Sequence, residues 1–356
     1  MAGKKYFLIV AIPVSLLVLT LLGLSFYLQP FTGDLTRIGG HTENDFGWNE
    51  PQFGYGDVGT QYAQRGQDVV GSDYVVYGDS FSYWCSDHGS ASALPACFQW
   101  TAFFKQQTGL QGLTYHQDHY SLEEFIQRIK RSAEKPKFVI YQSVERYAIP
   151  RLMKVAEGEK CVKRTPLGID QLAFNQTSES LMSVGRLQSP DPFDMNIPSA
   201  YLKQLMVSLR KPRVLKETLT ADPVLFSNSH NEALLYHRED LNKTRYTPEH
   251  YKTAKCGMNV FAAKIQQALG LPTFFLIAPD KSSVYGQWFK HEEKKVASFL
   301  PDIADQNVNF VDLLSPLVSA ASSGVVDIYL PNDTHWGWRG GELAANALVE
   351  AIEKRQ

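Results

Sequence analysis

Two stretches far apart in the chain carry the residue types that acyl chemistry needs. The first is Val75-Val76-Tyr77-Gly78-Asp79-Ser80-Phe81-Ser82, a short apolar run of strand character that ends in Gly-Asp-Ser. Gly78 lacks a Cβ and permits a tight turn. Ser80 then lies where a strand ends and a helix begins, with free backbone N–H groups and positive potential nearby. A serine so placed can attack a carbonyl carbon while adjacent amides hold the developing oxyanion. The second stretch is Pro331-Asn332-Asp333-Thr334-His335-Trp336-Gly337-Trp338, followed by a helical pattern. An Asp two residues before a His can set a carboxylate against Nδ1 and leave Nε2 free as a general base. Either stretch alone could be a helix cap, which is what Asp, Ser and Thr most often provide before helices. Together they supply nucleophile, base and orienter: Ser80, His335 and Asp333.

These residues must be positioned by a sheet. Lys137–Gln142 reads as a further strand of buried type, Thr273–Ala278 and Val308–Asp312 as strands, and Gly112–His116 as a short one. Helical patterns alternate with them: Leu94–Gln107, Ser121–Arg131 with Ser-x-x-Glu at its start, Val260–Leu269, His291–Phe299 and the C-terminal segment. Such alternation predicts an α/β fold, a three-layer α/β/α sandwich around a parallel sheet of flavodoxin-like type. Ligand sites in such folds gather at the C-terminal ends of strands, where Ser80, Gln142 and Pro279 all fall. Residues 150–255 break the pattern and read as an insertion covering one side of the sheet, either a lid, a polymer-binding surface or a stabilising elaboration.

Tyr77-Gly-Asp-Ser-Phe-Ser82 together with Asp333-Thr-His-Trp336 resembles the SGNH hydrolase-like group, specifically polysaccharide O-acetyltransferases of the AlgX/AlgJ type. Val139–Arg146 and Ala278–Tyr285 fit as well, so the resemblance touches most of 70–150 and 270–350. One feature departs from the alginate proteins: there Asp-x-His precedes the Ser, whereas here Ser80 comes first, as in ordinary SGNH esterases. The resemblance implies an acyl-serine mechanism with no metal or organic cofactor. It also implies an extracytoplasmic polysaccharide as acceptor, and an acetyl donor supplied by a membrane-embedded acyl exporter. An esterase or deacetylase with the same three residues is the chief alternative, and a non-catalytic polysaccharide-binding assembly component the other. For the oxyanion, the Ser80 amide is one expected donor. Family members add a Gly and an Asn, but the corresponding strand end here offers Gln142 or Ser143. Asp79 is expected to hold the nucleophile turn. Glu145-Arg146 resembles the family's Glu-Arg pair, with Arg146 fixing a loop or an acidic substrate, or simply forming a surface ion pair. Aromatic residues flank both motifs (Phe81, Tyr83, Trp84, Trp336, Trp338), and Trp336 is the foremost candidate for an acceptor contact.

The chain has 356 residues with a formal net charge of −2, which gives no sign of a nucleic-acid surface. Residues 6–28 carry no charge and are long enough to cross a bilayer, and Lys4 and Lys5 precede them. The expected order is therefore a cytoplasmic N-terminus (1–5), an inner-membrane anchor (6–28), a tether and edge segment (29–72) and a periplasmic catalytic domain (73–356). A cleaved signal peptide is the rival, but Phe26–Pro30 makes a poor cleavage site. Cys85, Cys97, Cys161 and Cys256 lack metal-ligand spacing, and an even count in an exported chain favours disulfides. Of three possible connectivities, Cys85–Cys97 with Cys161–Cys256 would staple the loop after Ser80 and close the insertion. Asn175, Asn242 and Asn332 begin sequons that matter only on a eukaryotic secretory route.

Overall fold

The computed structural model describes residues 10–20, 23, 33–57, 59–63, 72–82, 99–161, 165–184 and 212–356. Its strands are β1 (Gln52–Gly54), β2 (Thr60–Tyr62), β3 (Tyr74–Gly78), β4 (Gly112–His116), β5 (Phe138–Val144), β6 (Met182–Val184), β7 (Val214–Thr218), β8 (Ala233–His237), β9 (Thr273–Ala278) and β10 (Asn309–Val311). Six of them form the central sheet in the order β10-β9-β5-β3-β4-β2. Every neighbouring pair in it is parallel.

β3, β5 and β9 are buried along their whole length. Parallel strands covered on both faces read as unbroken apolar runs, which is why these three stand out in the sequence. Successive side chains feed opposite faces. Tyr74 and Val76 join Trp100, Phe104, Leu317, Ala344 and Leu348 in one cluster. Val75 and Tyr77 join Phe125, Ile129, Ile149, Leu152 and Phe261 in another. The result is the expected three-layer α/β arrangement. Without the edge strand β2, the order β4-β3-β5-β9-β10 is that of a flavodoxin-like sheet, whose direction of winding reverses between β3 and β5.

Several elements differ from the sequence reading. Residues 291–299 form no full helix; Glu292–Lys294 make one 3-10 turn and Leu300–Ile303 a short helix. The stretch is mostly charged and exposed, so it has no apolar stripe to bury. The helix expected from Val260 begins earlier, at Pro248, where Thr247 caps it and proline occupies the first turn. Residues 29–72 were expected to be a tether and edge segment. The described part packs on the domain through two short helices, Asp34–Gly39 and Glu43–Phe46, which the sequence did not show, and supplies β1 and the edge strand β2. Across the two ends of 150–255 run the helices Glu145–Ala156 and Pro248–Leu269. Between them β6 pairs with β1, and β7 and β8 form an antiparallel hairpin. Val214, Ala233 and Leu235 of that hairpin pack on Leu35 and Phe46.

Residues 10–20 are helical, and among the described residues no helix is long and apolar enough to cross a membrane. Much of 6–28 lies outside the described residues, as do Tyr83, Trp84 and the Cys85–Cys97 pairing. Cys161 and Cys256 are bonded to each other.

Candidate active site

Ser80 stands two residues beyond Gly78, the last residue of β3, at the start of a 3-10 turn, Ser80–Ser82. It is half-buried. Gly78 is needed there for space, because a Cβ would come within 2.9 Å of Gln142 Oε1. The Asp-x-His loop approaches from the other end of the chain. His335 Nε2 lies 2.8 Å from Ser80 Oγ. On the far side of the ring, His335 Nδ1 lies 2.6 Å from Asp333 Oδ1, which also accepts the His335 N–H at 2.8 Å. With Asp333 ionised, Nδ1 carries the proton, so Nε2 is the acceptor for the serine hydroxyl.

The electrostatics agree with that assignment. Burial raises the free energy of a charged imidazole, yet the Asp333 charge and hydrogen bond, with Asp34 behind them, hold His335 above its ordinary 6.5. Burial likewise opposes the Asp333 charge, but His335 and the donated N–H groups keep its carboxyl below 3.8. Phe81 packs on the imidazole with ring centroids 4.6 Å apart.

Asp79 holds the nucleophile turn. Its Oδ1 accepts the Phe81 N–H at 3.2 Å and Gln142 Nε2 at 2.9 Å. Its Oδ2 accepts the Val144 N–H at 2.9 Å and an Arg151 N–H at 2.6 Å. Gln142 Oε1 returns the contact, accepting the Asp79 N–H and the Ser82 hydroxyl, each at 2.9 Å. Gln142 and Ser143 are fully buried, and the Ser143 hydroxyl accepts from Arg151 at 2.9 Å. The Gln142 amide is thus committed to Asp79 and Ser82, and Ser143 is tied to the same turn through Arg151. The Ser80 N–H donates to no group among the described residues.

Trp336 also departs from expectation. It is fully buried, stands edge-on to Phe81 with centroids 4.9 Å apart, and donates its indole N–H to Gln99 Oε1 at 2.7 Å. No face of its ring is left for a sugar. An isolated antiparallel bridge to Tyr329 holds this residue, and its ring packs among Phe81 and Tyr329.

Arg146 is no surface ion pair and does not pair with Glu145. Its guanidinium is buried against Asp280 at 3.2 Å and Asp240 at 3.5 Å. Burial disfavours the charge, but these two carboxylates hold it firmly protonated. Glu145 accepts the Asp280 N–H at 2.8 Å, the Ser298 hydroxyl at 2.7 Å and Lys243 at 3.4 Å. The Glu-Arg pair thus fixes the ends of β5 and β9, which is the loop-fixing alternative.

Three contributors had no place in the sequence reading. Arg151 carries the charge that pairs with Asp79. Asp34, from the N-terminal segment, meets the Asp-x-His loop directly. Lys281 donates to the carbonyls of Leu330, Pro331 and Asp333 at 2.6, 2.9 and 3.1 Å. Burial pushes its ammonium down to about 7. Lys281 falls inside Ala278–Tyr285, so its stretch was legible although its partner was not. Asp34 and Arg151 carry no signal in spacing or type. Asp34, Asp333 and His335 bring their polar atoms within 4.8 Å of one another. The carboxylate oxygens already receive protein donors, so the three form a hydrogen-bonded unit.

Residues 234–356 match the family of the SGNH hydrolase-like domain, acetyltransferase AlgX. The probable alginate O-acetylase AlgJ of Pseudomonas putida is 33% identical over 97 residues, covering 25% of this chain and 24% of that protein. Together the two matches support the AlgX/AlgJ type of the SGNH family. The chain thus spans about a quarter of the length of this AlgJ relative. No solved structure matches it. The AlgX-type match contains Asp333 and His335 but begins only at residue 234, so it does not reach Ser80.

Proposed function

We propose that this protein is an O-acetyltransferase that moves acetyl groups onto a polysaccharide through an acetyl-Ser80 intermediate. The observation that carries the reading is His335 held between the Ser80 hydroxyl and the Asp333 carboxylate at the open end of the sheet. Ser80 Oγ attacks the carbonyl carbon of the donor while His335 Nε2 takes its proton. The tetrahedral oxyanion lies against the Ser80 N–H. Collapse breaks the bond to the leaving group, which takes the proton from His335. A sugar hydroxyl then attacks acetyl-Ser80 and gives its proton to His335. As the second oxyanion collapses, the acetyl group leaves with the sugar and the proton returns to Ser80. Asp333 supports the imidazolium in both halves.

The Cys161–Cys256 disulfide favours an oxidising compartment, in line with a periplasmic body. Lys4, Lys5 and the uncharged 6–28 run support attachment at the inner membrane, where an acyl exporter would supply the donor. The test is to incubate the protein with an activated acetyl ester, with and without oligosaccharides. Peptide mass spectrometry should find acetyl on Ser80, and the sugar should become acetylated. Ser80→Ala should lose on the order of 10⁴-fold or more in kcat. Full activity in that variant would refute the mechanism. Fast hydrolysis with no acetylated sugar would leave an esterase.

A further inference from the structure

The general base does not stand on its own loop alone. Asp34 and the Asp-x-His loop grip each other: the Asp34 N–H donates to Asp333 Oδ2 at 2.8 Å. In return the Thr334 N–H and hydroxyl donate to the two Asp34 oxygens at 2.8 and 2.6 Å. Asp333 Oδ1 is occupied by His335, so the Asp34 N–H is the bond that fixes rotation of the carboxylate about its own axis. Around this pair, the N–H groups of Leu35 and Thr36 donate to the Asn332 carbonyl at 3.0 and 3.3 Å. Glu43 accepts from the Asn332 side chain at 2.8 Å and from Thr36. The two segments are so close that a Cβ on Gly33 would lie 2.1 Å from the Asn332 carbonyl oxygen. These contacts join residues about three hundred positions apart, and the β7–β8 hairpin packs behind them on Leu35 and Phe46.

We propose that Asp34 is a positioning residue for His335, and that residues 33–46 are a brace whose docking makes the Ser80–His335–Asp333 group competent. The proposal rests on the acetyl-transfer reading and adds a part of the chain that lies far from both motifs. Asp34 faces Asp333 and His335 on the loop, with Lys281 from the helix Lys281–Tyr285 and Arg146 from Glu145–Ala156 also within its field. Lys281 in turn faces Asp327 and Asp240. Burial and the Asp333 charge hold the Asp34 carboxyl above its ordinary 3.8, and its negative charge in turn favours protonated His335, so removing it works against the imidazolium.

The experiment compares full-length wild type with Asp34→Asn, Asp34→Glu and Thr334→Val. His335 is titrated by NMR of its ring, and kcat/KM on an activated acetyl ester is followed against pH. In Asp34→Asn the His335 titration should move to lower pH by roughly half to one unit. Its kcat should fall about tenfold with KM nearly unchanged, as expected of a slightly misplaced base. Asp34→Glu keeps the charge and should restore the titration but little of kcat. A folded Asp34→Asn protein with wild-type titration and wild-type kcat overturns the proposal. If Asp34→Asn does not fold, Thr334→Val decides, because it removes one clamp bond and no charge. A several-fold loss of kcat at unchanged melting temperature supports the brace, and wild-type kcat overturns it. Wild-type protein inert toward every acetyl ester would fail the acetyl-transfer reading instead, while the NMR titration would still answer for the clamp.

Discussion

Replacing Asp79 by Asn separates a residue that holds the nucleophile turn from one that touches substrate. The carboxylate accepts four donors: the N–H groups of Phe81 and Val144, the Gln142 amide and Arg151. An Asn side chain must place its NH₂ on one side or the other. On the Oδ2 side it confronts Val144 and Arg151. On the Oδ1 side it confronts Phe81 and Gln142, and Gln142 cannot flip without abandoning the Asp79 N–H and Ser82 hydroxyl. At least two donors lose their acceptor, each costing about 1–3 kcal/mol when buried. In either orientation the neutral Asn also removes the nearer of the two carboxylates that pair with Arg151, leaving Asp118 at 3.5 Å. A fall of roughly 3–5 kcal/mol in stability is expected, with melting about 4–7 °C lower for a chain of this size. Freed from Asp79, the Phe81 N–H lets the Ser80 turn shift, and a displacement of about 1 Å costs on the order of 10²-fold in rate. Acetyl-ester turnover measured well below the melting temperature should show this in kcat rather than KM. Arg151→Met should be strongly non-additive with Asp79→Asn, with a coupling of about 1–3 kcal/mol. A folded Asp79→Asn protein whose kcat stays within about threefold of wild type would refute the reasoning, and a rise in KM alone would make Asp79 a substrate contact.

Because the Asp333 charge holds His335 above its ordinary pKa, the base is neutral only at higher pH, so kcat/KM should fall as pH drops through a value above 6.5. Asp333→Asn should move that limb to lower pH and cut the plateau; an acid limb unmoved by Asp333→Asn would exclude His335 as the titrating base. Trp336→Phe should lose the Gln99 bond and about 1 kcal/mol of stability by thermal denaturation, with the ratio of transfer to hydrolysis unchanged. A selective loss of transfer would restore Trp336 as an acceptor contact.

What the sequence discloses about this molecule follows physical range. β3, β5 and β9 are legible because strands buried on both faces must be apolar throughout, and β9 begins and ends where its residues say. Ser121 caps its helix, accepting the Glu124 N–H as Ser-x-x-Glu suggests. Ser80, Asp333 and His335 are legible as types, since few other residues do that chemistry on a strand-end and a pre-helix loop. Their supports are not legible. Asp34 looks like any acidic residue opening a short helix. Arg151 looks like a solvated cation four residues after Tyr147, and Gln142 like a polar residue at an exposed strand end. Each takes its meaning from a partner tens to hundreds of residues away, and no local pattern records such a pairing. Trp336 misleads for a related reason: it follows His335 in sequence, but its partners are Gln99, Phe81 and Tyr329.

The supports share one cause. Residues 330–336 are all buried, yet the loop has no strand or helix to satisfy its backbone. A buried polar backbone must find partners somewhere. Lys281 takes the carbonyls of Leu330, Pro331 and Asp333, and the Leu35 and Thr36 N–H groups take that of Asn332. The His335 carbonyl accepts the Leu330 N–H at 3.1 Å, closing the loop on itself. An ammonium has three hydrogens in three directions, and Lys281 spends all three on one loop. That use explains a lysine in the core at all, since burial alone works against its charge. An Asp-x-His segment carried on a short exposed turn would need neither Lys281 nor Asp34, but its imidazole would then swing with the turn. Burying the loop fixes Nε2 at hydrogen-bond distance from Ser80, and the N-terminal segment and the helix after β9 are what make burial tolerable.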